Sequence, residues 1–449
     1  MALWLLLLIV YPLTGASKNV SVEFVPDSIS SLRSDETQTF TVQFNSTQLA
    51  TIDLIVACAD PEICEVVNGT FAVDLTPDAS HNLTLRGLFL GHTTLTIAPL
   101  TRNVNLEAEK FDIAILRTKK GALLSKIFTA FVATFVVINT FFMGTQLQIE
   151  AIKECIKKPF GPVIGFCCQY FLMPLTAFLW ANVFLGGYPS LQFGYFAVGC
   201  SPGGGSSNFW TILLEGNLDL SVTMTFFSNI AAVGMLPFWL YTLGRLFFSG
   251  TVEIPFIHVL QSLAALIVPA CLGLLFTHYK PHLKKKFERI LKVLTFGFLL
   301  VLVPFAIYAN LYIFRLFRWY TVVCGFLLPW TGYAVSYLAS YLLRRPHRDC
   351  RTIAVETGIQ NASIAVLLCR LSLPEPDNDM TLVMPVCVMC FTSLPLWLFF
   401  IALKCRNRVQ RRKTRDQNEV KPDTATASTE AEKPSSENLA SLDPSKLPS

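Results

Sequence analysis

Glu356 is the one carboxylate in a 22-residue, mostly apolar stretch, Thr352 to Leu373, where Gly358, Gln360, Asn361 and Ser363 also interrupt the hydrophobic run. A charge at the centre of a bilayer costs roughly 3 kcal/mol on insertion scales, so a carboxylate retained there serves a function. A second interruption, Ser201-Pro202-Gly203-Gly204-Gly205-Ser206-Ser207-Asn208, falls inside another apolar stretch. Two interrupted hydrophobic segments, one in each half of a chain, point to the binding site of a secondary transporter.

The chemistry open to such groups is coordination of a hard cation such as Na+. Carboxylate, amide, hydroxyl and backbone carbonyl oxygens are its ligands. Backbone carbonyls come free only where a helix unwinds, which membrane depth tolerates beside a cavity or inside protein. Ser207 and Asn208 close the first break, and Pro202, Gly203, Gly204 and Gly205 make it. Ser221 and Thr225 follow at i, i+4, on one face of a helix. Glu356 and Gln360 have the same spacing across the second break, which Gly358 and Asn361 mark, and Gln169 lies just ahead of Met173-Pro174. Gln169, Ser207, Asn208, Ser221, Thr225, Glu356 and Gln360 could hold one or two cations, with Glu356 as the only formal counter-charge.

Each group has a plainer reading. Ser and Thr hydroxyls in membrane helices commonly bond to their own backbone. Gln169 could bridge two helices, and the triple glycine could allow close helix approach. Arg351 is a candidate partner for Glu356, although it lies nearer the cytoplasmic end. Arg370, near the other end, is expected to snorkel to the interface.

The elements that must position these groups read as an all-α polytopic membrane unit behind a small all-β domain. Of the 449 residues 52% are hydrophobic and 15% charged, against about 25% charged in soluble domains. Nine spans are expected, at roughly 122–144, 160–184, 190–213, 218–245, 256–278, 290–314, 319–343, 352–373 and 380–403, each long enough for a hydrocarbon core about 30 Å thick. Lys153, Lys157 and Lys158 follow the first span, Lys280, Lys284, Lys285, Lys286 and Arg289 the fifth, Arg344, Arg345, Arg348 and Arg351 the seventh, and Arg406, Arg408, Arg411, Arg412, Lys413 and Arg415 the ninth. All follow odd-numbered spans, which places that side in the cytoplasm. The loop Pro374-Glu375-Pro376-Asp377-Asn378-Asp379 is acidic and falls outside; Arg315 and Arg318 are exceptions to the bias. The breaks lie five spans apart, in the third and the eighth. An odd offset inverts the second copy, so spans two to four and seven to nine are expected as inverted repeats with crossing breaks. Spans one, five and six could form a second bundle.

Residues 1–16 read as a signal peptide, with an apolar Leu5–Leu13 run and Thr14-Gly15-Ala16 at a small-residue cleavage site; a retained signal anchor is the alternative. Residues 17–118 carry strand-like runs at Thr37–Phe44, Leu54–Ala57, Val66–Leu75 and Thr93–Ala98, which predicts a β-sandwich. Four glycosylation sequons, at Asn19, Asn45, Asn68 and Asn82, argue an extracellular or lumenal location. Cys58 and Cys64 are the only cysteines of this segment; an even pair in an oxidising compartment favours a disulfide, two buried thiols being the alternative. Residues 119–405 form the nine-span unit, and 406–449 are expected as a disordered cytosolic tail.

At the polar breaks the chain resembles the sodium/bile acid symporter family. The matching strings are Gln169-Tyr170 with Met173-Pro174-Leu175, Cys200-Ser201-Pro202-Gly203-Gly204 through Ser207-Asn208, Asp219-Leu220-Ser221 with Met224-Thr225, Gly234-Met235-Leu236-Pro237, and Arg351-Thr352 with Glu356-Thr357-Gly358-Ile359-Gln360-Asn361. The resemblance covers about residues 120 to 405 and implies two sodium sites. The first would use Ser207, Asn208, Ser221, Thr225 and Glu356; the second Gln169, Glu356, Gln360 and backbone oxygens near the second break. The signal peptide and ectodomain set the chain apart from the liver and intestinal bile-acid carriers and liken it to an ectodomain-bearing branch.

The expected function is sodium-coupled import of a bile-acid-like or steroid-conjugate-like organic anion by alternating access, at the plasma membrane. Expected partners are the bilayer, sodium and the anion, with no nucleic acid, and no cofactor beyond Na+ as the coupling ion. The alternative is a membrane-anchored receptor or non-transporting relative whose ectodomain binds a ligand. An enzyme is not expected: the six histidines are scattered, with no HExxH and no Ser-His or paired-Asp arrangement in the spans.

Overall fold

A computed structural model describes residues 18–419, apart from 46–49, 76–78, 101–103, 109, 147–152, 154–156, 158, 249–255, 284–285, 288, 291–300, 302–303 and 306. The expected signal peptide, most of the sixth expected span and the last part of the tail lie outside the described residues. The chain divides into two units, Met1–Ser393 and Leu394–Ser449.

The first unit begins with ten strands: β1 (Lys18–Val25), β2 (Ser28–Arg33), β3 (Thr37–Asn45), β4 (Ala50–Cys58), β5 (Cys64–Val67), β6 (Thr70–Leu75), β7 (Ala79–Gly87), β8 (Gly91–Pro99), β9 (Val104–Ala108) and β10 (Phe111–Leu116). They form two five-stranded sheets, ordered β5-β7-β3-β1-β9 and β2-β10-β8-β4-β6. Period-two patterning builds the core between them. Phe40, Val42 and Phe44 of β3, Leu83 and Leu85 of β7, and Phe111, Ile113 and Ile115 of β10 are buried, while their neighbours face out. Phe111 sits at the centre, 4.6 Å from the Phe24 ring and 5.5 Å from that of Phe40.

The expected Val66–Leu75 strand is two strands in different sheets. Asn68 adopts φ 58°, a left-handed value that Asn tolerates and β-branched residues do not, and the turn it makes with Gly69 sends β6 to the opposite sheet. The sulfurs of Cys58 and Cys64 are joined, linking the end of β4 to the start of β5 and so one sheet to the other.

The helical part begins with α1 (Lys119–Gln146). Next, α2 (Phe160–Cys167) passes through one π-turn (Cys168–Leu172) into α3 (Met173–Phe184). There follow α4 (Pro189–Cys200), α5 (Ser207–Leu213), α6 (Leu218–Thr242), α7 (Phe256–Tyr279), the short α8 (Leu311–Arg315) and α9 (Trp319–Leu342). Then come α10 (His347–Gly358), α11 (Ala362–Ser372), α12 (Asp377–Met380) and α13 (Val383–Thr392). Among the described residues five helical segments are long and apolar enough to cross a membrane: Lys119–Phe142, Phe160–Phe184, Leu218–Phe247, Trp319–Leu342 and Asp377–Gln410. Two further expected spans, 190–213 and 352–373, are instead the pairs α4/α5 and α10/α11, each unwound in its middle.

Pro174 has no N–H, so the carbonyl of Tyr170 loses its helical donor. Trp239 of α6 supplies one instead, its indole N–H donating to Tyr170 O at 2.7 Å.

Among its described residues the second unit is one helix, α14 (Leu394–Glu419). It runs beyond residue 406, where the expected disordered tail begins. The reason is propensity: Arg406 to Arg415 is rich in Arg, Lys and Gln and holds neither Pro nor Gly.

Candidate functional site

The two breaks meet. Gly203 and Gln360 form an isolated antiparallel bridge. Gly204 N–H donates to Ile359 O at 2.8 Å and Asn361 N–H to Pro202 O at 2.9 Å. Backbone groups released by unwinding four half-helices are thus partly satisfied across the crossing, as a water-poor interior demands.

Glu356, in the last turns of α10, is 2% exposed and reaches this crossing. Ser221 Oγ–H donates to its Oε2 at 3.0 Å, and Thr225 Oγ1–H lies 2.5 Å from its Oε1. Ser221 in turn accepts from Thr211 Oγ1 at 3.1 Å. The Thr225 hydroxyl is also 3.0 Å from Ser221 O one turn back, so its single proton has two possible acceptors. Ser207, at the first turn of α5, is fully buried and faces the same carboxylate. Ser228 of α6 accepts from Gly203 N–H at 3.2 Å, fastening the first break to the helix that carries Ser221 and Thr225.

Gly203 is required by this geometry. A methyl group at its Cα would stand 2.6 Å from Glu356 Oε1.

The amides form a second group. Gln169, on the π-turn, donates from Nε2 to Ser201 O and to Gln360 Oε1, both at 2.8 Å, while Gln360 Nε2 donates to Thr357 O at 2.6 Å. Gln169 thus does bridge helices, and its Oε1 remains buried with no hydrogen bond, as does Asn208 Oδ1. A cavity of about 20 Å3, lined by Gln169, Met224, Phe227, Ser228 and Glu356 among others, connects the two groups; it has room for about one water-sized guest.

Among the described residues no ion pair includes Glu356. Arg351, its candidate partner, donates to Leu214 O at 2.9 Å and lies 3.7 Å from Glu215. A buried carboxylate with hydroxyl neighbours, no basic partner and two buried amide oxygens without donors fits a cation that takes oxygen only.

The crossing draws together all seven expected ligands' segments. Of the remaining expected positions, Asn68 and Asn82 are exposed on the β domain, and the side chains of Asn19 and Asn45 lie outside the described residues. Residues not singled out from sequence complete the frame: Thr211, Ser228, and Thr357, whose buried hydroxyl has no hydrogen-bond partner. Helical spacing carries a weak signal for two of them, since Thr211 stands four residues after Ser207 and Ser228 three after Thr225.

Arg370 departs from expectation. Its side chain does not snorkel but is 7% exposed and paired with Asp379. Asp379 also lies 3.5 Å from Arg117 Nη1 and accepts from Tyr312 Oη at 2.9 Å.

This arrangement defines a membrane transporter whose helices unwind around a buried carboxylate. The chain belongs to the sodium bile acid symporter family. The family model described as "Sodium Bile acid symporter family" matches residues 133–315. The ileal sodium/bile acid cotransporter of Oryctolagus cuniculus is 31% identical over 298 residues, covering 64% of this chain and 84% of that one. Sodium/bile acid cotransporter 5 of Rattus norvegicus is 26% identical over 423 residues, 90% of this chain and 95% of the relative. The P3 protein of Mus musculus is 30% identical over 249 residues, 54% of this chain and 52% of that one.

Proposed function

We propose that the chain imports an organic anion, bile-acid-like or steroid-conjugate-like, together with sodium, by alternating access at the plasma membrane. The observation that carries this is a buried carboxylate at the crossing of two broken helices, with hydroxyl and amide oxygens around it and, among the described residues, no basic partner. We assign one sodium to Ser207, Asn208, Ser221, Thr225 and Glu356, and a second to Gln169, Glu356, Gln360 and backbone oxygens of the second break.

Sodium at the first site requires the hydroxyl protons to turn away from Glu356. Thr225 has the means, because Ser221 O already stands 3.0 Å away as the alternative acceptor. The same hydroxyl therefore serves the carboxylate before the ion arrives and the backbone afterwards, while its oxygen becomes a ligand. Filled sites favour the state in which the anion site beside the crossing is formed. Two Na+ moving with one monovalent anion carry one net charge, which a 100 mV inside-negative potential drives by about 2.3 kcal/mol.

The proposed architecture around this centre has nine spans, with spans two to four and seven to nine as inverted repeats. Residues 1–16 are a cleaved signal peptide, 17–118 an extracellular glycosylated domain with its Cys58–Cys64 disulfide, 119–405 the transporter and 406–449 a cytosolic segment. The contact of Arg318 with Glu62 of the β domain, at 2.7 Å, supports reading that loop as external, against its charge.

Uptake of a radiolabelled panel of sulfated steroids and conjugated bile acids, in sodium against choline buffer, tests the proposal. Glu356→Gln is expected to abolish sodium-dependent uptake with surface expression intact. Normal uptake by that variant would overturn it.

A further inference from the structure

The β domain reaches the helical unit through a buried cluster that the transport reading does not use. Arg117 lies on the short linker between β10 and α1, and its backbone belongs to the β domain: Arg33 Nη1 donates to Arg117 O at 2.8 Å. Its side chain turns the other way. Nη2 donates to Ala309 O at 3.0 Å, the guanidinium stacks 4.0 Å from the Tyr312 ring centre, and Nη1 stands 3.5 Å from Asp379. Arg117 is 9% exposed and Asp379 3%.

Asp379 and Asp377 occupy one turn, and that turn touches both broken helices. Asp379 pairs with Arg370 near the end of α11. Asp377 accepts from Ser190 at the start of α4. The β domain grips the same turn twice, at Asp379 through Arg117 and at Asp377 through His92, 3.2 Å away. One short segment therefore links the β domain to the outer ends of the two helices whose inner ends make the crossing.

We propose that Arg117 is a positioning residue for transport: it transmits the placement of the β domain to the Asp377–Asp379 turn and so sets the outer ends of α4 and α11 relative to the sodium centre. This rests on the sodium-site reading above. The charge count makes the idea testable. Two guanidiniums share one carboxylate in the cluster, so removing Arg117 leaves Arg370 and Asp379 as a balanced pair. Removing Asp379 would instead strand two buried cations.

The test is sodium-dependent thermal unfolding of the purified full-length chain, with choline holding ionic strength constant, for wild type, Arg117→Ala, Arg117→Lys and Glu62→Ala. Arg117→Ala is expected to fold and to need about fivefold more sodium for half of the stabilising effect, with Arg117→Lys between it and wild type. Glu62→Ala, which breaks only the exposed pair with Arg318, is expected to match wild type. An Arg117→Ala protein with a lower sodium-free melting temperature but an unchanged sodium midpoint would make the residue merely structural and overturn the proposal. If Arg117→Ala does not fold, Arg117→Lys decides by the same midpoint. A wild type indifferent to sodium would overturn the sodium-site reading, and this inference with it.

Discussion

Thr225 Oγ1 stands 2.5 Å from Glu356 Oε1 and 3.0 Å from Ser221 O, so one hydroxyl chooses between a carboxylate and a helix carbonyl. Thr225→Val keeps the shape and removes the choice. A hydrogen bond to a charged buried group contributes about 1.5–3 kcal/mol, which sets the scale of what the site loses. The expected outcome is a rise of about tenfold or more in the sodium concentration for half-maximal uptake, at normal surface level. An unchanged sodium dependence would remove Thr225 from the site.

Gly203→Ala places a methyl group 2.6 Å from the Glu356 carboxylate. The carboxylate or the break must move, and uptake is expected to fall to background. Gly234→Ala in α6 is the matched control, since nothing lies within 4 Å of its new methyl group. It is expected to transport normally and to be slightly more stable, by up to about 1 kcal/mol from helix propensity.

Phe111→Ala removes the ring at the centre of the sandwich. The expected cost is about 3–5 kcal/mol, which approaches the whole stability of a small domain. The readout is loss of mature, surface-exposed protein in a glycosylation and biotinylation assay. Recovery on Phe111→Leu, which refills most of the volume, would separate packing from any specific role of the ring.

His92 has its pKa raised, first by its hydrogen bond to Asp377, against the opposing effect of burial. Because the folded value is the higher one, the pair's contribution is full below the ordinary histidine value and disappears as pH climbs through the raised value. The contact of the β domain with the Asp377 turn should therefore be firmest at the acid end of the range between about pH 5 and 8. Proteolytic susceptibility of the β10–α1 linker is the measure. Wild type is expected to be better protected at the acid end, and His92→Gln to show no such difference.

Much of the centre was legible in the residues because its physics is local. A carboxylate in an apolar run and a Pro-Gly-Gly-Gly interruption both violate what a bilayer allows, and the i, i+4 spacing of Ser221 and Thr225 aims both at one target. Other parts depend on distant partners. Nothing near Arg370 in the chain announces Arg117, which lies across the fold, so an apparent interface residue is in fact buried. The Val66–Leu75 run looked continuous because its alternation persists through Asn68, whose left-handed backbone is a property of the turn and not of the pattern. The end of α14 has a related cause: Arg406 to Arg415 is charged and polar, which reads as disorder, yet its side chains are also helix formers and the helix continues to Glu419.

The backbone bridge at Gly203 and Gln360 carries a mechanical consequence. Parting the two breaks would expose amides to hydrocarbon, at several kcal/mol for each group left alone. The crossing must then travel as one block through the cycle, and the sliding must happen along its flanks. Deuterium should enter the amides of Gly204 and Asn361 last of all in this region, whichever side of the membrane the protein faces.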